Sequence, residues 1–128
     1  MAGDELERLR ALCLALPEAA ERLSHGEPAF FVCASAKSSK LFVMLDSHHH
    51  GAEHFGFWCA APAGVQEELI AEDPQRFFRP PYLGSRGWLG VRLAADGLAA
   101  PDWAEIDEIA RDAYRQVAPK PLVARLDG

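Results

Sequence analysis

Four imidazoles fall within seven residues in Ser47-His48-His49-His50-Gly51-Ala52-Glu53-His54, with Asp46 beside them. Neutral imidazoles and a carboxylate are ligands for zinc and other divalent metals. His48, His50, His54 and Asp46 therefore form a candidate metal set. Their spacing matches no established metal motif. In an extended chain His48 and His50 point together while His49 points away, and Gly51 breaks a helical register between His50 and His54. A polar hairpin loop accounts for the same residues.

A second constellation is Phe77-Phe78-Arg79-Pro80-Pro81-Tyr82-Leu83-Gly84-Ser85-Arg86-Gly87-Trp88. Pro80 and Pro81 stiffen the chain and remove two amide donors. Gly84 and Gly87 permit positive φ around Ser85 and Arg86. Such a loop can turn backbone amides and a guanidinium toward an anion. Residues 76–92 hold Arg76, Arg79, Arg86 and Arg92 and no acid. Arginine suits phosphate by its planar fork, and Tyr82 or Trp88 can stack on a base. Gly84-Ser85-Arg86-Gly87 also has the G-x-x-G spacing of a nucleic-acid clamp, but that clamp joins two helices, and this segment leads into a strand. The competing account is a rigid connection whose aromatics pack into the core.

Ser24-His25-Gly26 is the remaining pair with chemical interest. Neighbours on a strand face opposite sides, so Ser24 and His25 are not read as nucleophile and base. No G-x-S-x-G, no P-loop and no G-x-G-x-x-G is present. The familiar enzyme classes are unsupported, no catalytic residue is assigned, and no cofactor is expected.

These residues must be positioned by ordinary elements. Leu6, Leu9, Leu12, Cys13 and Leu16 recur at helical spacing, so residues 4–16 read as a helix ended by Pro17. Residues 20–25 are ambiguous, and Gly26 and Pro28 mark a turn. Residues 29–33 and 41–45 read as a hairpin with a polar turn, and 55–59 as a third strand. A short helix follows between Pro62 and Pro74, then a strand from Trp88 to Leu93. The last helix carries Trp103, Ile106, Ala110, Ala113 and Val117 on one stripe, with Asp102 and Glu105 in a capping-box arrangement. Pro119 and Pro121 are read as its stop. The sum is an α+β fold in two layers, an antiparallel sheet flanked by helices.

A length of 128 residues suits a single domain over 1–128. A net charge of −6 argues against indiscriminate nucleic-acid binding, though not against a local basic face. No apolar run reaches the ~18 residues of a membrane span, and the acidic start is unlike a secretory signal; a cytoplasmic address without membrane contact is expected. Cys13, Cys33 and Cys59 are odd in number and widely spaced, and read as small core residues.

Pro80-Pro81-Tyr82-Leu83-Gly84-Ser85-Arg86-Gly87-Trp88-Leu89-Gly90-Val91 resembles the signature of the MmcQ/YjbR-like family. Leu16-Pro17-Glu18-Ala19, Ser24 to Phe30, His49-His50-Gly51, Pro62 to Pro74 and Ala113 to Lys120 resemble further parts of it in the same order. The resemblance implies a CyaY-like α+β fold, and a "double wing" of hairpins suspected of binding DNA. It extends the candidate set to the hairpin of residues 29–45, with Lys37 and Lys40, and to Lys120.

The leading expectation is a binding domain for nucleic acid or a phosphorylated small molecule. It would use Arg79, Tyr82, Arg86, Trp88, Arg92, Lys120, Lys37 and Lys40. A metal-binding protein is one alternative. The other is a small-molecule enzyme with a pocket near Tyr82 and Trp88, which a deep pocket lined by His25, Tyr82 and Arg86 would favour.

Overall fold

The computed structural model describes residues 2–47 and 54–128. The first helix, α1 (Ala2–Leu14), buries Leu9 and Cys13 completely. Pro17 follows it, and the chain turns into β1 (Ala19–Ser24). β1 pairs antiparallel with β2 (Glu27–Ser35) through a two-residue turn. Its residues, His25 and Gly26, have φ of 53° and 81°. Positive φ at both positions suits the twist of the paired strands, and Gly26 adopts it without strain.

β3 (Ser38–Ser47) returns along β2, and β4 (His54–Cys59) along β3. α2 (Val65–Glu72), β5 (Phe77–Phe78) and a 3₁₀ turn at Leu83–Arg86 lead to β6 (Leu89–Ala95). α3 (Trp103–Val117) and α4 (Lys120–Asp127) close the chain. The six strands of the described residues form one antiparallel sheet in the order β1-β2-β3-β4-β6-β5. Among the described residues, six antiparallel strands with four helices make the expected α+β fold. No helix among the described residues is long and apolar enough to cross a membrane.

The core lies between one sheet face and helices α1 and α3. Phe30, Phe42, Phe57, Leu89 and Val91 meet Leu9, Ile106 and Tyr114 there, all fully buried. Tyr114 stands edge-on to Phe42 at 5.7 Å, and its hydroxyl donates to the Pro17 carbonyl at 2.6 Å. That bond ties α3 to the corner between α1 and β1. Cys13 of α1 and Cys59 of β4 are buried in the same layer. Burial pushes both thiols well above the usual range, and the neighbouring Cys59 pushes Cys13 further.

Two details depart from expectation. Asp102 caps α3 by accepting from the amides of Ala104 and Glu105, but no reciprocal bond from Glu105 forms among the described residues. Burial first, and then the Asp102 charge, hold the Glu105 carboxyl above its ordinary range; two like charges do not share one cap well. In addition, Pro119 and Pro121 do not end the helical chain. Pro119 is the N-cap of α4 and Pro121 sits in its first turn, where a missing amide donor costs nothing. Arg115–Asp127 and Arg125–Glu18 ion pairs hold α4 to α3 and to the start of β1.

Candidate functional site

The opposite sheet face carries the site. Cys59 faces the helices, so alternation turns Trp58 to the other side. Trp58 pairs with Met44 across β3 and β4, and both line a cavity of about 590 Å³. Met44 reaches this face because β3 is bulged. Phe30 pairs with Val43 and Phe31 with Leu41, so Phe42 has no partner in the β2 register. The extra residue lets Phe42 and Val43, adjacent in sequence, both be buried, while Leu41 and Met44 remain half-exposed in the cavity wall.

The acidic part of the lining comes from two strands. Asp46 of β3 is 3% exposed, and its Oδ2 accepts from the Trp58 indole nitrogen at 3.0 Å. Glu27 opens β2 and is 5% exposed; both its oxygens accept from the Ser47 hydroxyl at 2.9 Å, and Oε2 also accepts from the Ser47 amide. Ser24 and His25 of the β1–β2 turn stand at the same end of the cavity. The lining thus holds two carboxylates and, among the described residues, no lysine or arginine.

The Pro-Pro-Tyr segment supplies the opposing wall through Tyr82 and Leu83. Tyr82 has φ 64° and ψ −59°, and the Leu83 amide donates to the Pro81 carbonyl across it. That is a γ-turn of the strained sense, held at a side chain 78% exposed. What fixes the segment is Gln66 of α2. It is buried, and its Nε2 donates to the carbonyls of Gly84 at 2.8 Å and Trp88 at 2.5 Å. On the same side of the sheet as Trp58, the Phe78 ring occupies the space a side chain at Gly90 would need.

A model of the YjbR family matches residues 14–116 of this chain. The chain belongs to the YjbR family. The crystal structure of Deinococcus radiodurans protein DR2400, described by the family-model domain DUF419, is similar at a TM-score of 0.73. It shares 20% identity, with 95% of this chain and 87% of that one covered, which supports the shared fold. Among curated proteins, none matches the chain in sequence.

In this YjbR-family chain the residues singled out by sequence separate into groups. Arg79, Tyr82 and Arg86 lie exposed on one loop, with the Arg79 stem against Gly84; no ion pair involves either arginine among the described residues. Trp88 is instead buried. Arg92 is stacked on Phe78 at 4.5 Å and donates to the carbonyls of Pro74 and Gln75. Arg76 is buried and bonded to the carbonyls of Arg92, Ala99 and Ala100.

Lys37 stands at the tip of the β2–β3 hairpin, and Lys40 pairs with Val32 further back. The tip extends about seven residues beyond the Ala29-Met44-Trp58-Gly90 row, roughly 20 Å along the strands. Lys120 begins α4, on a different element from both groups.

Of the candidate metal set, His48 and His50 lie outside the described residues. His54 begins β4, and Asp46 sits within β3 rather than in a loop, bonded to Trp58. Among the described residues no group of three or more His, Cys, Asp or Glu is placed to hold a metal ion.

Of the trio expected to mark a small-molecule pocket, His25 and Tyr82 line the cavity and Arg86 does not. Glu27, Met44, Trp58 and Gln66 were not anticipated as site residues. A signal did exist for one of them: a lone glutamine at the start of a short helix, ahead of a proline- and glycine-rich loop whose carbonyls need donors.

Proposed function

We propose that this YjbR-family domain binds a small organic molecule in the cavity on the sheet face opposite α1 and α3, between the β1–β2 turn and the Tyr82-Leu83 wall. The observation that carries this reading is the cavity itself. Its volume of about 590 Å³ falls in the range of small-molecule sites, and its mostly apolar walls carry a few placed polar groups. Rigid supports surround it: the Trp58–Asp46 and Glu27–Ser47 bonds on one side and the Gln66 clamp on the other. The exposed Tyr82 ring at the mouth adds a surface able to close over a ligand.

A fragment screen read by thermal shift tests the proposal. Fragments that stabilise the unaltered protein should lose their effect on Met44→Trp, which fills the cavity. Fragments that stabilise both proteins equally bind elsewhere, and a screen yielding only such fragments refutes the cavity as the site.

A second reading keeps phosphate or nucleic acid as the ligand. What favours it is the exposure of Arg79 and Arg86 on one loop beside Tyr82, with neither arginine in an ion pair among the described residues. Arg76 and Arg92 donate to backbone carbonyls instead, so about two guanidiniums remain for phosphates. Binding that depends on Arg79 and Arg86 and leaves Met44→Trp unaffected would replace the cavity with this loop.

A further inference from the structure

Resting on the reading of the cavity as a ligand site, we propose that its ligand is a phosphate monoester on an apolar body: the body fills the cavity, and Arg79 and Arg86 hold the phosphate at the rim. The 3₁₀ turn Leu83–Arg86 joins the two halves of that site. Its first residue, Leu83, lines the cavity. Side chains three apart eclipse in a 3₁₀ helix, so Arg86 stands on the same side of the turn as Leu83, about 6 Å along the axis. Arg79 reaches the same turn from the preceding residues. Its stem lies across Gly84, where an added Cβ would meet Arg79 Cγ at 2.5 Å and Nε at 3.2 Å. Gln66 donates to the Gly84 carbonyl, so the turn that gathers both arginines is itself fixed.

Both arginines are exposed, and neither side chain makes an ion pair or hydrogen bond among the described residues. Arg76 and Arg92 differ, since their guanidiniums donate to backbone carbonyls. Residues 76–92 contain no acid to claim either free group.

Charge and shape choose the ligand. A phosphate monoester carries about −1.5 to −2 at neutral pH, which two guanidiniums match, and its oxygens suit their planar forks. A carboxylate would leave one guanidinium over. A nucleic-acid backbone spreads its charge along many phosphates, and two arginines on one turn would meet only about two of them. It would also leave the cavity unfilled. Neither arginine lines the cavity, and a phosphate drawn inside would lose its hydration without them. The charge therefore stays at the rim, and the apolar body enters against Met44 and Leu83.

Three probes separate the parts: 1-naphthyl phosphate, 1-naphthol (the body alone) and inorganic phosphate (the charge alone). Isothermal titration calorimetry on the unaltered protein should find naphthyl phosphate about tenfold tighter than naphthol, with inorganic phosphate weakest. That advantage should shrink as salt is raised, because exposed charges are screened. Arg79→Gln and Arg86→Gln should each weaken naphthyl phosphate about three- to fivefold and leave naphthol within about twofold. Met44→Trp should abolish binding of both. The probe comparison and the salt series use the unaltered protein, so they stand even where a variant fails to fold.

Naphthol binding as tightly as naphthyl phosphate, or a preference that salt does not reduce, overturns the phosphate assignment and leaves the cavity as a ligand site. Absence of binding by all three, in a protein whose cavity accepts other fragments, overturns the assignment as well. Naphthyl phosphate that binds Met44→Trp undiminished is held by the loop alone, which overturns the joint site. A cavity that accepts no fragment of any kind removes the reading beneath it.

Discussion

Gln66→Leu is the perturbation that most sharply tests how the cavity wall is held. The side chain is 2% exposed and spans two carbonyls with one amide group. Leucine matches its volume, so the change removes hydrogen bonds rather than packing. Two neutral bonds contribute about 1 kcal/mol each. The Gly84 carbonyl keeps the Gly87 amide at 3.0 Å, but the Trp88 carbonyl loses its side-chain donor. A buried acceptor left in that position costs about 1–3 kcal/mol, so the total loss is about 2–4 kcal/mol. With a urea slope near 2 kcal/mol/M the midpoint should fall by about 1–2 M.

Gln66→Glu adds a pH arm. The introduced carboxyl faces two acceptors, so its charged form is disfavoured and its folded pKa rises above the unfolded value of about 4.3. The stability it contributes is present below that value and is lost as pH rises through the folded one. Urea denaturation of both variants at acid and neutral pH reads both effects. A loss below about 0.5 kcal/mol for the leucine variant, or a pH-independent loss for the glutamate variant, refutes the clamp.

Three further outcomes follow from the same structure. Native protein treated with a thiol reagent should be labelled first at half-buried Cys33, while Cys13 and Cys59, buried and with raised pKa, react only on unfolding; mass spectrometry of labelled peptides checks this. Tyr114→Phe should cost about 1–2 kcal/mol by freeing the Pro17 carbonyl. Burial raises the Tyr114 pKa, so its contribution is complete below the unfolded value near 10 and is lost as pH climbs through the folded one; the phenylalanine variant should lack that alkaline limb in a pH-dependent melt. If DNA binds at the Arg79–Arg86 loop, log K against log salt should have a slope near −2, and a slope near −4 would require guanidiniums that are committed to backbone carbonyls.

The sequence was most legible where local pattern and tertiary role agree. The stripe from Trp103 to Val117 behind Asp102 made α3 readable, and the aromatic and β-branched runs made β2, β3 and β4 readable. β1 was not, because Ala19-Ala20-Glu21-Arg22 lacks alternation and becomes a strand by pairing with β2 across the His25-Gly26 turn. α4 was hidden by two prolines that look like a stop and in fact form a start. Arg92 and Trp88 looked available on a strand, yet Phe78 and the core occupy them.

The cavity was the least legible feature. It takes a few residues from each of several segments, gathered by cross-strand register and by a bulge at Phe42 that moves Met44 to the open face. Register of that kind is set by pairing across the sheet and leaves no local trace.

The most direct test of the account is the Trp58 indole N–H resonance in a ¹H–¹⁵N NMR titration with a fragment that stabilises the unaltered protein but not Met44→Trp. Its proton is held by Asp46 in the cavity wall, so a ligand seated there must move it. Saturable shifts at the Trp58 indole and the Met44 and Leu83 amides, with Lys37 and Lys40 unmoved, are the predicted result. A Trp58 indole that stays still while Arg79, Arg86 or the hairpin tip shifts would contradict the account.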